Sequence, residues 1–166
     1  MMGENMMTIK RLLGVLTVGL ALMTLAACGQ KSTESVIKNE LKDSYTGYSE
    51  NPGGTWLFRD GDSVLTFNKK DNSITNSEGT STYFSVISGE EIPPSTQHVV
   101  DSLASELKGT DNFTIIIGRK QNPTKKDAEG AYQIALSDGG KKIRIIEVDR
   151  DSRDFGYYDF SGTADE

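Results

Sequence analysis

Apolar positions follow three different rhythms along the chain. Residues 12–24 are almost continuously apolar behind the basic pair Lys10 and Arg11. Residues 95–108 place Val99, Val100, Leu103 and Leu107 at helical spacing, with Asp101, Ser102, Ser105 and Glu106 on the opposite side. Most of the remaining chain after Pro52 alternates short β-like runs with clusters of Gly, Asp, Asn and Ser, the period-2 signature of strands joined by turns.

The alternating part predicts about eight strands. Trp56–Phe58 leads to the Asp60-Gly61 turn pair, in which Gly accepts a positive φ. Further strands follow at residues 63–67, 73–75, 82–87, 113–117, 131–136, 142–148 and 155–160. Residues 113–117 are nearly all apolar and read as a central strand. Adjacent Ile145 and Ile146 break the alternation, which predicts a bulge. Pro93 and Pro94 end one strand, Ser95 offers an N-cap, and Lys108 with Gly109 closes one main helix at about 95–108. Successive strands with tight turns predict a mainly β (β-rich α+β) fold, a single antiparallel meander forming a barrel or half-barrel.

The first apolar run is too short to span a bilayer comfortably, since spanning needs about 20 apolar residues. Basic residues followed by about a dozen apolar ones read as a signal peptide, with Met6 or Met7 as alternative starts. Leu25, Ala26, Ala27 and Cys28 come next. This resembles the lipobox of bacterial lipoproteins, in which the cysteine receives a diacylglyceryl thioether and becomes the new N-terminus. The resemblance implies two acyl chains on Cys28, enough for stable anchoring at about 0.8 kcal/mol per buried methylene. It also implies a location at the cell membrane, lipid-anchored on the extracytoplasmic face.

The expected organisation is a signal peptide at 1–27, the lipidated Cys28 with a polar tether at 28–50, a β-rich domain at 51–162 and a tail at 163–166. Residues 35–42 show partial helical spacing and read equally as a short helix or as disorder. A flexible 29–50 segment would reach on the order of 25 Å. All thirteen aromatic residues lie at or after Tyr45, which puts the start of the core near Pro52.

Composition narrows the function. The 166 residues carry 18 Lys+Arg against 24 Asp+Glu. Removing Lys10, Arg11 and Glu4 leaves 16 basic and 23 acidic residues, a net of −7 on the 139 residues from Cys28. That balance excludes a nucleic-acid partner, because phosphate neutralisation needs a basic face. One Cys excludes an internal disulfide and a cysteine zinc cluster, and one His excludes a multi-histidine metal site within one chain. No cofactor or metal is predicted. Asp149, Asp151 and Asp154 hint at a calcium loop, but Arg153 stands where an oxygen ligand belongs, and Asp60 with Asp62 fails at Val64. His98 has no accompanying nucleophile motif, and Glu90–Glu91 reads as a solubilising loop. No catalytic residue is assigned.

Gly54-Thr55-Trp56 resembles the Gly-X-Trp that opens the first strand of lipocalins and similar small barrels. There the Trp plugs the closed end under a basic residue, which implies a structural role for Trp56 and a cation–π partner in Arg144 or Arg153. The set Gly54–Trp56, Asp60–Gly61, Leu65–Asn68 and Tyr132–Ile134 is also similar to small Firmicute lipoprotein domains without known catalysis. The expected function is therefore a non-enzymatic binding or interaction module for a small-molecule or peptide ligand. The alternatives are an immunity or protective lipoprotein that sequesters a cationic antimicrobial peptide, and an envelope hydrolase. Tyr45, Tyr48, Tyr157 and Tyr158 are the candidate contact residues, since aromatics with polar tips favour interfaces.

Overall fold

The computed structural model describes residues 31–149 and 155–166. The lipobox at Leu25–Ala27, Cys28 and Arg153 lie outside these residues. Eight antiparallel strands form a closed barrel in sequence order. They are β1 (Ser44–Ser49), β2 (Gly61–Asn68), β3 (Ser73–Asn76), β4 (Ser81–Ile87), β5 (Asp111–Gly118), β6 (Gly130–Ser137), β7 (Lys142–Glu147) and β8 (Asp159–Ala164). Three helices join them: α1 (Thr33–Asn39) before β1, and α2 (Pro94–Ser102) with α3 (Ala104–Leu107) between β4 and β5. Among the described residues no helix is long and apolar enough to cross a membrane.

The inward alternation builds the core. Tyr45, Leu65, Phe67, Ile74, Phe84, Phe113, Ile115, Ile117, Tyr132, Ile134, Leu136, Ile143, Ile145 and Phe160 fill the barrel. Each fully buried side chain of this size contributes roughly 1.5–3 kcal/mol. Both ends are stoppered. At the proximal end, where the chain enters, α1 lays Val36 onto the core, followed by Leu41. The Tyr45 hydroxyl donates to the Gly140 carbonyl at 2.8 Å. Gly140, at φ +81°, is needed there because a Cβ would overlap the Glu40 carbonyl. At the distal end the β1–β2 loop folds Leu57 and Phe58 inward. Phe58 packs against Tyr132 and Tyr158, with ring centroids 4.4 and 4.7 Å away.

A second apolar layer lies outside the barrel. Val99, Leu103 and Leu107 of the α2–α3 segment pack on Ile116, Ala131, Ala135 and Ile146. This layer explains why residues 113–117 are almost wholly apolar, since β5 is buried on both faces. It also removes the expected bulge. The β6–β7 register runs unbroken from Tyr132↔Glu147 to Ser137↔Lys142. Ile145 points into the barrel and Ile146 out beneath the helices, so adjacent isoleucines mark two-sided burial. The buried amide of Gln133 on this outer face is satisfied by Thr114 at 2.7 Å and Asn112 at 2.8 Å.

Several expectations are corrected. The strand count of eight holds, but its membership shifts. Residues 33–50 are not tether: α1 caps the barrel, and β1 pairs with both β2 and β8. Trp56–Phe58 is loop, not strand. The last strand is Asp159–Ala164, so the expected tail at 163–166 takes part in the fold. There Ser44 and Thr46 hydroxyls donate to the Asp165 carboxylate at 2.5 and 2.7 Å. These bonds hold its pKa below the ordinary aspartate value. Pro93, not Ser95, stands at the N-cap of α2, and the helix is interrupted at Leu103.

Candidate functional site

The distal end is built from the β1–β2 loop, the β3–β4 turn, the β5–β6 loop and the β7–β8 connection. Among the described residues the exposed large hydrophobic side chains are Tyr48, Trp56 and Phe155, and all three belong to this end. Tyr48 is one residue from the end of β1. Phe155 precedes Gly156, whose Cα lies so close to Asn51 that a Cβ would come within 2.6 Å of its amide oxygen. The two loops that carry Trp56 and Phe155 therefore touch at Asn51.

Trp56 is 73% exposed, although its neighbours Leu57 and Phe58 are buried. The loop geometry accounts for the contrast. Gly53 N–H donates to the Phe58 carbonyl at 2.8 Å, which closes a tight loop over residues 53–58. Asn76 fixes the Leu57 carbonyl from β3 at 3.0 Å. With 57 and 58 turned inward, Trp56 is left on the rim. The Arg59 guanidinium carbon stands 5.4 Å from the indole centroid, within cation–π range. Glu78 holds Arg59 in turn at 3.0 Å.

A groove of about 670 Å³ runs beside the indole. Gly54–Leu57 of the β1–β2 loop line it, together with Thr80–Thr82 at the start of β4 and Arg119 with Glu129 of the β5–β6 loop. Arg119 Nε bonds Glu129 Oε1 at 2.7 Å. The β5–β6 loop is braced further on, where Thr124 N–H and its hydroxyl both donate to Asp127 Oδ2. Those two bonds lower the Asp127 pKa.

Inside the barrel at this end lie two buried phenols, Tyr132 and Tyr158, packed around Phe58. Tyr132 Oη sits beside Thr55 Oγ1 and the Gly54 N–H without reaching hydrogen-bond geometry. Burial pushes its pKa well up, and the Glu147 and Asp149 carboxylates add to the shift. Burial does the same to Tyr158, with Tyr132 adding. Glu147 is itself buried and accepts the Tyr158 N–H at 3.2 Å.

The structure separates the residues that the sequence nominates. Tyr45 and Tyr158 are fully buried, so they are core residues and not contact residues. Tyr157 is half-buried against the outer layer, and Tyr48 alone of the four is well exposed. Trp56 does not plug the barrel; Phe58 does. Its basic neighbour is Arg59, not Arg144. Arg144 instead pairs bidentately with Asp159, at 2.7 and 2.6 Å, and with Glu106 of α3 at 2.7 Å. His98 is exposed on α2, and Glu91 accepts the Ser88 N–H in a local turn. Among the described residues no group of three or more potential metal ligands converges.

Thr55, Arg119, Glu129 and Phe155 escape sequence reasoning. The Pro-Gly-Gly run before Thr55 signals a loop, but nothing local tells that Trp56 faces outward while Phe58 faces in. No family model, curated protein or solved structure matches the chain.

Proposed function

We propose that the protein is a membrane-anchored extracytoplasmic lipoprotein, held by a diacylglyceryl group on Cys28, that acts as a non-enzymatic binding module through its distal end. The observation that carries this reading is the gathering of Tyr48, Trp56 and Phe155 at the end opposite the entry of the chain. Aromatic side chains offer large contact area at low entropic cost, and they concentrate in binding hot spots. The filled interior favours a surface site over a lumenal one.

Tether length supports the same arrangement. Only Gly29–Ser32 separate Cys28 from Thr33, the first residue of α1. At 3.3–3.6 Å per residue, the start of α1 would lie within about 18 Å of the lipidated sulfur. The proximal end then faces the bilayer, and the aromatic end faces away. Such a short leash holds the domain at the membrane surface, in place of the longer reach a 22-residue tether would give.

A second reading, capture of a cationic antimicrobial peptide, is favoured by one observation, the net charge of −7 from Cys28 onward. It predicts binding that weakens steeply with salt. Hydrolysis has the least support, since His98 and Glu90–Glu91 are exposed and apart from the groove.

Cys28→Ala tests the anchor. The variant should fold unchanged and move from the membrane fraction to the soluble fraction. Retention in the membrane would overturn the lipid-anchor reading.

A further inference from the structure

We propose that the distal groove is a glycan-binding site, in which a neutral pyranose ring lies on the open face of Trp56 and its hydroxyls reach the rim of the groove. The inference deepens the binding-module reading and rests on it for the direction the groove faces, but the binding chemistry is argued from the groove alone.

Three features select the ligand class. The groove has a single flat apolar platform, the indole, with Arg59 on one face and 73% of the residue exposed. A pyranose ring presents one similarly flat face of C–H groups, whose partial positive charge suits the negative face of an aromatic ring. The rest of the groove is mostly short and polar: Thr80 and Ser81 bring hydroxyls, Arg119 donates and Glu129 accepts. A sugar needs this mixture, because each of its hydroxyls both donates and accepts.

Charge argues for a neutral sugar. Arg119 is matched by Glu129 and Arg59 by Glu78, so the groove presents paired charges and no surplus of either sign. A phosphate or carboxylate ligand would need an unmatched cation. A nucleic acid could stack a base on the same indole, but its backbone would meet a chain of net charge −6.

Topology argues against an extended peptide. A peptide commonly docks by adding a strand to a free sheet edge, with pockets for alternate side chains. The barrel closes through β1 and β8, so no strand edge is free along the sheet. The groove also offers one aromatic platform where a peptide of alternating side chains would need a row of pockets.

The backing of the indole is part of the site. Glu78 fixes Arg59, and Arg59 steadies the ring, so the platform is set before a ligand arrives. Pre-set geometry reduces the ordering cost of binding.

Trp56 is the single tryptophan, so intrinsic fluorescence reads this site directly. The experiment titrates purified full-length Cys28→Ala protein with chitotetraose and with cellotetraose, and in parallel with a cationic peptide and a thymidine oligonucleotide. A saturable emission shift with at least one of the two sugars is expected at high micromolar to millimolar concentration, insensitive to salt. Trp56→Ala, read by calorimetry, should weaken binding roughly tenfold or more, Trp56→Tyr should restore part of it, and Glu78→Gln should weaken it severalfold. His98→Ala, on the exposed side of α2 and outside the groove, should leave it unchanged. Saturation by the peptide or the oligonucleotide alone, or no response to either sugar, would overturn the proposal, as would sugar binding that survives Trp56→Ala. Because the protein used here carries no lipid, failure of the glycan site and failure of the anchor are read in separate assays.

Discussion

At the scale of single residues, the closing seam depends on two missing side chains. Gly47 of β1 and Gly162 of β8 face each other across the pairing that shuts the barrel. The Phe160 ring lies over both: a Cβ on either glycine would come within 2.6 Å of that ring. A Cβ on Gly47 would also collide with the Ser161 carbonyl, a backbone atom that has no room to swing away. Gly47→Ala and Gly162→Ala should each destabilise the protein by about 1–3 kcal/mol, the usual cost of overpacking a core. Urea denaturation checks this, and unchanged midpoints would mean that Phe160 finds another place. Such glycines cannot be recognised from the chain alone. Gly47 sits in Ser-Tyr-Thr-Gly-Tyr-Ser, a stretch so polar that it reads as linker until its two partners are known.

At the scale of elements, the α2–α3 segment was the most legible and β1 the least. The spacing of Val99, Leu103 and Leu107 needs no partner to be read, because it repeats within one element. β1 has only Tyr45 and Ser49 buried, and its identity as a strand lies in hydrogen bonds to β2 and β8. Trp56–Phe58 misled for the opposite reason. Its apolar side chains suit a strand, but the loop uses two of them as a stopper and leaves the third outside. The same local ambiguity hid the groove, whose walls come from separate connections.

One clamp joins the helical layer to the sheet. Arg144 on β7 holds Asp159 on β8 and Glu106 on α3 at once. These bonds push the guanidinium pKa further up. Arg144→Met keeps the apolar stem and removes the three bonds. Since the arginine is about one-third exposed, the expected loss is modest, about 1 kcal/mol. Hydrogen exchange should rise selectively around Glu106 and Leu107. Arg144→Lys should not restore full protection, because an ammonium lacks the planar fork. Equal exchange in wild type and Arg144→Met would show that apolar packing alone holds α3.

At the scale of the whole molecule, the barrel is a container for protonated phenols. Tyr132 and Tyr158 are held neutral by burial, and Tyr45 is shifted the same way despite the Lys42 N–H that its oxygen accepts. The unfolded chain ionises its tyrosines near pH 10. A group whose pKa is raised by folding contributes stability fully below that value and loses it as pH rises beyond it. The protein should therefore be indifferent to these groups at neutral pH and weaken progressively above about pH 10. Near-ultraviolet absorbance in an alkaline titration should show these three buried phenols ionising only as the fold collapses. Early, reversible ionisation of Tyr45, Tyr132 and Tyr158 would contradict this packing.

The pairing of β1 with β8 also sets an order in time. Ser44 and Asp165, bonded across the seam, are 121 residues apart in sequence, close to the full length of the barrel. The first strand to be synthesised therefore waits for the last. Until β8 is available, β1 to β7 can curl only as a sheet with two raw edges, and both edges can pair with another chain. Closing so long a loop is costly and slow compared with forming the hairpins between neighbours. Folding is thus committed at the C-terminus, and the final six-residue strand decides when an aggregation-prone sheet becomes an edgeless barrel.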